Sequence, residues 1–509
     1  MRTQENIGNI LFKRTERTPN REILVCGEDR FSYRTLNQRT NQLAHALKGV
    51  TVKKGDRVAV LLSNGNEICE SLFAMAKIGA VWVPLNVRLA PQELEFIIGD
   101  CGAETLIFAE RFSEMVEEIR GRSALKNFIC LGGKISPGTT SYEDLIAQYP
   151  TDEPVITAGN EDNLIIMYTS GTTGRPKGAV LTHHNMYSAA VDGMTGLDYG
   201  GMDTIFILLP LFHIGALTPF ITAFFKGTKT IITRELELPV VLETIEREKP
   251  STIIAVTAIA TMIMQLPDIK KYDFSSVQSI VLLGSPLPFP LVEKAYQELG
   301  VNLQNFYGLT EASGPGAHMN MEDMMRKPGS IGYPFLLLDL RIVNERDEDV
   351  AVGEVGEIII RGPAVMKEYW NLPEETKETL RNGWLHTGDM AKVDEEGFIY
   401  IVDRKKDVII SGGENIYSAE IEAFLIKHPK ILDVAVIGMP DEKWGEVPRA
   451  MVELAKDEAL TEEELIGFCK GRIAKFKIPK RVDFVQELPR TITGKVFKKE
   501  LRKQLQKDQ

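Results

Sequence analysis

One stretch of the chain combines hydroxyl residues with glycines in a way that suits phosphate binding. It runs from Tyr168 to Gly178, YTSGTTGRPKG, and follows the apolar run LIIM. Glycines let backbone N–H groups turn toward an anion, and hydroxyls and a lysine add donors. The stretch does not close with the Gly-Lys-Ser/Thr of a Walker A loop. A flexible surface turn is the alternative. The candidate phosphate-binding residues are Thr169, Ser170, Gly171, Thr172, Thr173, Gly174 and Lys177.

A second stretch, NFYGLTE at 305–311, carries an aromatic ring, a hydroxyl and a carboxylate close together at Tyr307, Thr310 and Glu311. These are the groups that a purine, a phosphate and a hard cation require. Taken alone, the same heptamer also fits a strand end followed by a turn.

Both stretches resemble motifs of the adenylate-forming superfamily, which includes acyl-CoA synthetases, aryl-CoA ligases, firefly luciferase and peptide-synthetase adenylation domains. The first matches the superfamily loop S/T-S/T-G-T/S-T-G-x-P-K-G, and the second is similar to its Y-G-x-T-E motif. Three further motifs follow in the expected order: WLHTGD at 384–389, DRKKDVIISGGE at 403–414 and PRTITGK at 489–495. The resemblance therefore covers nearly the whole chain.

The resemblance implies a role for each residue of the second motif. Tyr307 would stack on adenine, Thr310 would contact the α-phosphate of ATP, and Glu311 would hold Mg²⁺ against the phosphates. The nucleotide-binding set implied at this motif is completed by Asn305, Phe306 and Gly308.

The third and fourth motifs would hold the ribose and the thiol. Asp389 would accept both ribose hydroxyls, because an ionised carboxylate has acceptor sites for two donors. Arg404 would contact the ribose, and Lys406 would be the hinge of the C-terminal domain. Gly412 and Gly413 would line the tunnel for the pantetheine arm of coenzyme A, where a side chain would leave no room. Each assignment has an alternative: Asp389 also fits a turn aspartate, the RKKD stretch a solvated charge run, and the two glycines an ordinary turn before a helix.

The fifth motif ends at Lys495, which matches the catalytic lysine for adenylation. Without the other motifs it would be a solvated lysine of a basic tail. Adenylation brings an acid carboxylate against the α-phosphate, so the main demand is charge neutralisation. Lys177, Lys495 and Mg²⁺ on Glu311 would supply it. The resemblance implies that rotation about Lys406 then withdraws Lys495.

His213 lies in PLFHIGAL at 210–217, where many superfamily CoA ligases place an aromatic residue or histidine between acyl pocket and thiol tunnel. A gating role and a buried core histidine are both open. The nearby segments FHIGALTPFITAFF, VTAIATMIM and SGPGAH are apolar or small, which favours an apolar acid, although core packing gives the same pattern. Peptide-synthetase-like relatives bind the substrate's amino group through an aspartate in this region. Phe212–Phe225 holds no acidic residue, so the resemblance argues against an amino-acid substrate.

The elements that must position these residues follow an α/β pattern. Short apolar runs alternate with amphipathic stretches, as in DRVAVLL at 56–62, a helix over 67–79 and AVWVPL at 80–85. This predicts parallel strands linked by helices. Between residues 338 and 403 strands follow one another directly, which indicates a mostly β subdomain.

A chain of 509 residues exceeds the usual size of one domain. We predict a large N-terminal domain over 1–403 that binds ATP and the acid. A small mobile α+β domain over 404–509 would carry the catalytic lysine and the thiol tunnel. Its predicted elements are a helix over 418–427, strands over 434–439 and 448–454, and a helix over 461–475.

Composition excludes several other classes. The net charge is −12, from 59 Lys and Arg against 71 Asp and Glu, which argues against a nucleic-acid partner. Five scattered cysteines without a CxxC pair fit a reducing cytoplasm. The sequence contains no run of about 18 apolar residues, so we predict no integral membrane segment. The oligomeric state stays open, with a homodimer as one arrangement.

The resemblance implies an AMP-forming acid:CoA ligase that uses ATP, Mg²⁺, coenzyme A and a small carboxylic acid, with a medium- or long-chain fatty acid favoured. An aryl-CoA ligase for benzoate- or cinnamate-like acids is the alternative within the class. A luciferase-like monooxygenase and a non-enzymatic nucleotide-binding protein are more distant alternatives.

Overall fold

A computed structural model describes residues 6–133, 136–169, 175–197, 203–266, 269–284, 287–411, 414–441, 443–490 and 496–507. The chain forms two compact units. The first comprises Met1–Leu340 and Ile360–Leu385, and the second comprises Arg341–Ile359 and His386–Gln509. The predicted boundary between residues 403 and 404 concerns a hinge of motion and stays a prediction.

The α-helices of the described residues are α1 (Ile7–Arg17), α2 (Tyr33–Gly49), α3 (Asn66–Ile78), α4 (Pro91–Cys101), α5 (Ser113–Arg120), α6 (Tyr142–Ile146), α7 (His183–Gly196), α8 (Ile214–Lys226), α9 (Leu238–Glu248), α10 (Thr257–Met264), α11 (Phe289–Leu299), α12 (Met321–Arg326), α13 (Pro373–Thr379), α14 (Ser418–Leu425), α15 (Glu462–Cys469) and α16 (Lys498–Lys507). Short 3₁₀ turns cover Glu110–Phe112, Ile269–Lys271, Thr310–Ala312, Arg381–Gly383, Lys405–Asp407 and Lys475–Lys477.

The strands are β1 (Glu22–Cys26), β2 (Asp29–Ser32), β3 (Arg57–Leu61), β4 (Val81–Pro84), β5 (Thr105–Ala109), β6 (Asn127–Leu131), β7 (Thr140–Ser141), β8 (Asn163–Thr169), β9 (Lys177–Thr182), β10 (Thr204–Ile207), β11 (Lys229–Ile232), β12 (Thr252–Val256), β13 (Ser279–Leu283), β14 (Asn302–Tyr307), β15 (Ala317–Met319), β16 (Tyr333–Pro334), β17 (Asp339–Val343), β18 (Gly356–Arg361), β19 (Glu368–Tyr369), β20 (Leu385–Val393), β21 (Ile399–Arg404), β22 (Ile409–Ser411), β23 (Glu414–Ile416), β24 (Ile431–Asp441), β25 (Gly445–Leu454) and β26 (Arg481–Val485).

Two large sheets form the first unit. One runs in the order β16-β15-β14-β13-β12-β10-β11-β1-β2, and the other in the order β19-β9-β8-β4-β3-β5-β6-β7. Their central strands are parallel, buried along most of their length and linked by helices, which explains their continuous apolar sequences. The predicted α/β architecture is confirmed.

Antiparallel pairs occur at both ends of the nine-stranded sheet, where β1 pairs with β2 and β15 with β16, and at the β19 end of the other large sheet. β9 pairs antiparallel with both β8 and β19, and β15 pairs antiparallel with β14. Antiparallel neighbours can be joined by a short connection. The first predicted motif falls between β8 and β9, and the second runs from β14 toward β15.

The second unit contains two smaller sheets. The four-stranded sheet has the order β17-β18-β20-β21, and the chain passes between the units within β17, within β18 and at the start of β20. The other sheet has the order β23-β22-β25-β24, with β26 paired to β25. The apolar faces of α14, α15 and this sheet form one core, which includes Ile421, Leu425, Val436 and Leu465.

All four predicted elements of the second unit differ in length from the observed ones; the helix predicted over 418–427 ends at Leu425, and the strand predicted over 448–454 begins at Gly445. The helix predicted over 461–475 ends at Cys469, because Lys470 is extended and Gly471 takes a left-handed φ of +73°. The strand predicted over 434–439 runs from Ile431 to Asp441, because it pairs with β25 along its length. Among the described residues, no helix is long and apolar enough to cross a membrane.

Candidate active site

The predicted phosphate loop is framed by the hairpin of β8 and β9. Thr169 and Lys177 face each other across this pair. Ser170, Gly171, Thr172, Thr173 and Gly174, which complete the prediction, lie outside the described residues.

The start of this loop is anchored by Tyr168. Its ring packs against the core of the sheet, and its hydroxyl donates to Asp100 Oδ2 over 2.5 Å. Burial raises the pKa of Tyr168, so the hydroxyl stays a donor. The loop therefore leaves a fixed strand end.

A short strand brings an unpredicted residue beside Lys177. Tyr369 of β19 lies opposite Ala179 of β9, and the next amide, that of Trp370, donates to the Gly178 carbonyl over 2.7 Å. The Lys177 Nζ lies 5.3 Å from the centroid of the Tyr369 ring. That distance is within the range of a cation–π interaction.

Tyr369 also contacts Glu311. Its hydroxyl donates to Glu311 Oε1 over 2.8 Å, and the Met366 amide donates to the Glu311 carbonyl over 2.7 Å. Burial and then the Glu311 charge raise the pKa of Tyr369, so the phenol stays protonated. The structure thus brings together two predicted residues, Lys177 and Glu311, through a third that the sequence analysis missed.

The turn that presents Thr310 and Glu311 is held from several sides. Ser313 ends the 3₁₀ turn with a left-handed φ of 55°, and its hydroxyl donates to the Ala364 carbonyl over 2.7 Å. The Thr218 hydroxyl of α8 donates to the Ser313 carbonyl over 2.6 Å. These bonds offset the strain of a non-glycine residue in that conformation.

A glycine is required at the start of the turn. A Cβ on Gly308 would lie 1.6 Å from the Gly314 carbonyl oxygen, which is far inside van der Waals contact. A Cβ on Gly316 would lie 2.9 Å from Tyr307 Cδ1, so the chain packs directly on that ring. Tyr307 is therefore held at the end of β14.

The other residues of β14 divide between the two sheet faces. Phe306 packs its ring against His318 and Phe335, with ring centroids 5.9 and 5.2 Å away. Alternation places Asn305 and Tyr307 on the opposite face. Asn305 is buried between neighbouring strands, opposite Leu282 and Met319.

His213 is the residue before α8, and its ring lies 4.8 Å from the Phe212 ring. In the described part of the structure, its buried Nε2 has no hydrogen-bond partner. Burial, with a smaller effect from the Arg88 charge, lowers the pKa of His213 to about 4. The imidazole is therefore neutral near pH 7.

The second unit holds the remaining candidate site residues that lie in the described part of the chain. Asp389 and Arg404 face each other across β20 and β21, and Arg404 Nε lies 3.0 Å from Asp389 Oδ1. Glu357 supports the adjacent backbone, since its Oε1 accepts the Gly388 amide over 3.1 Å. Lys406 lies in the exposed 3₁₀ turn that follows β21.

Gly412, Gly413 and Lys495 lie outside the described residues. The strands that flank the two glycines pair antiparallel, with Ser411 opposite Glu414. The residues that flank Lys495 are also paired, with Arg490 bridged to Val496.

The described residues contain no group of three or more His, Cys, Asp or Glu that could hold a metal ion. Mg²⁺ is commonly held by one or two carboxylates together with substrate phosphates and water. Glu311 fits that mode, because its Oε1 accepts the Tyr369 hydroxyl and no described donor reaches its Oε2.

Sequence patterns did not identify Tyr369, because a two-residue strand has no periodicity. The available signal was its position in EYW at 368–370, where aromatic residues follow the turn at Pro363. Pairing with β9 could not be read from that position.

Comparison with known proteins agrees with this architecture. The AMP-binding enzyme model matches residues 11–370, and the AMP-binding enzyme C-terminal domain model matches residues 420–495. The chain is 37% identical over 508 residues to a long-chain-fatty-acid–CoA ligase of Mycobacterium tuberculosis, covering 98% of both chains. It is 37% identical over 504 residues to a feruloyl-CoA synthase of an Amycolatopsis species, covering 99% of both.

A solved structure of o-succinylbenzoate coenzyme A synthetase from Bacillus subtilis, in complex with ATP and magnesium ion, is similar as well. It superimposes with a TM-score of 0.86 at 32% identity, covering 97% of this chain and 99% of that one. The chain belongs to the AMP-binding enzyme family. It is an acid:CoA ligase that works through an acyl-adenylate.

Proposed function

We propose that this acid:CoA ligase acts on a medium- or long-chain fatty acid. The supporting observation is α8, which follows His213 and carries no charged side chain before Lys226. Its polar groups are used within the protein, since the Thr218 hydroxyl donates to Ser313 and the Thr222 hydroxyl donates to the Thr218 carbonyl over 2.9 Å. A wall of this kind suits an apolar acid.

The nucleotide would be held by the following residues. In this proposal Tyr307 stacks on adenine, Thr310 contacts the α-phosphate, and Asp389 accepts the ribose hydroxyls. The ion pair with Arg404 supports the ribose role, because it fixes the orientation of the Asp389 carboxylate.

Adenylation requires two anions to approach each other. We assign the neutralisation of their charge to Lys177, to Lys495 and to Glu311 as the ligand of Mg²⁺. When bound, Mg²⁺ supplies a positive charge to the phosphate oxygens. Lys177 lies at the start of β9, beside the phosphate loop, and Glu311 lies in the 3₁₀ turn that follows β14. These positions support the assignment.

Thioester formation requires access for a thiol. We assign the tunnel to Gly412 and Gly413, the hinge to Lys406, and a gating position to His213. A neutral, apolar-facing imidazole cannot easily accept a proton, so His213 would shape the pocket instead of acting as a base.

An aryl-CoA ligase is the second candidate. The feruloyl-CoA synthase matches this chain at the same identity as the fatty-acid ligase, so overall similarity does not separate the two acids. A pocket beside the apolar helix α8 would accept an aromatic ring as well.

Coenzyme A-dependent release of AMP from ATP tests the choice of acid. We would compare dodecanoate and palmitate with ferulate, cinnamate and 2-succinylbenzoate at equal concentrations. The proposal expects the highest kcat/KM for one of the two fatty acids. A higher kcat/KM for any of the other three would overturn it.

We further propose a cytoplasmic location and a homodimer. The five cysteines are buried free thiols, as suits a reducing compartment. Light scattering of the purified chain measures the oligomeric state directly, and fractionation of cells measures the location.

A further inference from the structure

We propose that Tyr369 is a positioning residue for adenylation, whose hydroxyl fixes the Glu311 carboxylate so that one of its oxygens is presented to magnesium-bound ATP. This inference rests on the proposed role of Glu311 as the ligand of Mg²⁺. No motif of the sequence analysis includes Tyr369.

The geometry places Tyr369 where it can hold Glu311 in one orientation. The Tyr369 residue is 8% exposed, and its backbone is paired to β9. Glu311 is only partly buried, at the edge of a short turn. A partly exposed glutamate has several rotamers, so a fixed donor removes much of its freedom before the ligand arrives.

The hydrogen bond also gives the two carboxylate oxygens of Glu311 different roles. Oε1 accepts the Tyr369 hydroxyl over 2.8 Å, which leaves Oε2 for a cation. Mg²⁺ requires near-octahedral geometry at short distances, so a carboxylate that binds through one defined oxygen is favoured.

The ring of Tyr369 has a separate contact that allows the hydroxyl to be tested alone. Lys177 Nζ lies 5.3 Å from the ring centroid. Replacement by phenylalanine keeps this aromatic face and the strand pairing, and it removes the hydroxyl with its bond to Glu311 and its weaker interaction with Thr379. The variant Tyr369→Phe therefore isolates the proposed function of the hydroxyl.

The test is the Mg²⁺ dependence of ATP binding, measured by isothermal titration calorimetry on the full chain without an acid. Loss of one hydrogen bond to a charged group corresponds to about a tenfold change in an equilibrium constant. We expect Tyr369→Phe to need about ten times more Mg²⁺ for half-maximal ATP binding. Its ATP affinity without Mg²⁺ should match that of the wild type.

A second measurement separates positioning from general damage. Dodecanoyl-adenylate and coenzyme A, supplied directly, require no Mg²⁺–ATP complex, so Tyr369→Phe should form the thioester at the wild-type rate. Tyr142→Phe is the matched control, since it removes another buried tyrosine bond to a carboxylate, 2.6 Å from Glu70. It should leave the Mg²⁺ requirement unchanged.

The outcomes distinguish this inference from the proposal on which it rests. A normal Mg²⁺ requirement in Tyr369→Phe, with a raised one in Glu311→Gln, overturns the role of Tyr369 alone. A normal requirement in both variants overturns the role of Glu311. Equal losses in ATP binding without Mg²⁺ and in thioester formation would show that Tyr369 only stabilises the fold.

Discussion

The Arg404 guanidinium lies 3.0 Å from the Asp389 carboxylate across β20 and β21. The Asp389 side chain is 7% exposed, whereas that of Arg404 is 50% exposed. A buried carboxylate is thus held by a cation that still reaches solvent. Such a pair contributes little to folding, because water screens the exposed partner.

This arrangement predicts that Arg404→Gln weakens ATP binding without a matching loss of stability. We expect the KM for ATP to rise on the order of tenfold, since a charged hydrogen bond to Asp389, the proposed ribose ligand, is lost. The free energy of unfolding should fall by less than about 1 kcal/mol. ATP–pyrophosphate exchange and urea unfolding measure the two quantities.

Arg341→Gln serves as the control, because Arg341 pairs with exposed Asp349 over 2.7 Å in the same unit. That variant should keep the wild-type KM for ATP. If both variants raised KM equally, the special position of Arg404 would be refuted.

The large elements could be predicted from sequence because burial on both faces leaves a direct pattern. The strands predicted from DRVAVLL and AVWVPL appear as β3 and β4, within one or two residues. The boundaries of α15 and β24 were less accurate. The left-handed Gly471 sets the end of α15, and pairing with β25 sets both ends of β24. Neither feature is visible in a local apolar pattern.

The sequence could place Tyr307, Thr310 and Glu311 close together because one motif carries all three, and their roles toward ATP stay predictions. The candidate site was not predictable where residues far apart in sequence meet. Tyr369 contacts Glu311 only because β19 pairs with β9. Long-range strand pairing of two residues leaves no signal in a single sequence.

Lys495 gives the sharpest test of the adenylation mechanism. Replacing it by alanine removes a cation proposed to act while carboxylate and α-phosphate approach. We expect acyl-adenylate formation to slow by on the order of 10²-fold or more, the usual size of such electrostatic effects. Thioester formation from supplied acyl-adenylate should stay near normal.

Lys503→Ala is the matched control, because Lys503 is an exposed lysine of α16 with only a 3.9 Å ion pair to Glu500. Single-turnover measurements report both half-reactions. Normal adenylation in Lys495→Ala would remove that lysine from the mechanism.

Gly308 tests the close packing of the turn that presents Glu311. The Cβ of Gly308→Ala would meet the Gly314 carbonyl oxygen at 1.6 Å, so the backbone must move. Overpacking of this kind typically costs about 1–3 kcal/mol of stability. We expect ATP–pyrophosphate exchange to be lost as well, because the displaced backbone carries Thr310 and Glu311.

A glycine in open space provides the contrast. Gly99 lies within α4, and a Cβ there would have no atom within 4 Å. Gly99→Ala should stabilise the chain by about 0.5–1 kcal/mol and leave exchange unchanged. Wild-type exchange in Gly308→Ala would contradict the required close approach.

His183 predicts how stability responds to acid. It is fully buried at the start of α7, and its Nδ1 accepts the Ile7 amide over 3.2 Å, so the ring must be neutral on that nitrogen. Burial lowers the pKa of His183 from 6.5 to about 4. The unfolded chain therefore binds a proton before the folded one does as the pH falls below about 6.5.

The stability from this neutral histidine is present above pH 6.5 and is lost between about pH 6.5 and 4. Between about pH 7.5 and 5.5 the loss amounts to about 1.4 kcal/mol. His183→Asn keeps an acceptor near Ile7 and cannot titrate, so its free energy of unfolding should fall by that much less over this interval. Urea unfolding at the two pH values measures the difference. An unchanged slope in His183→Asn would mean that another group carries the acid sensitivity.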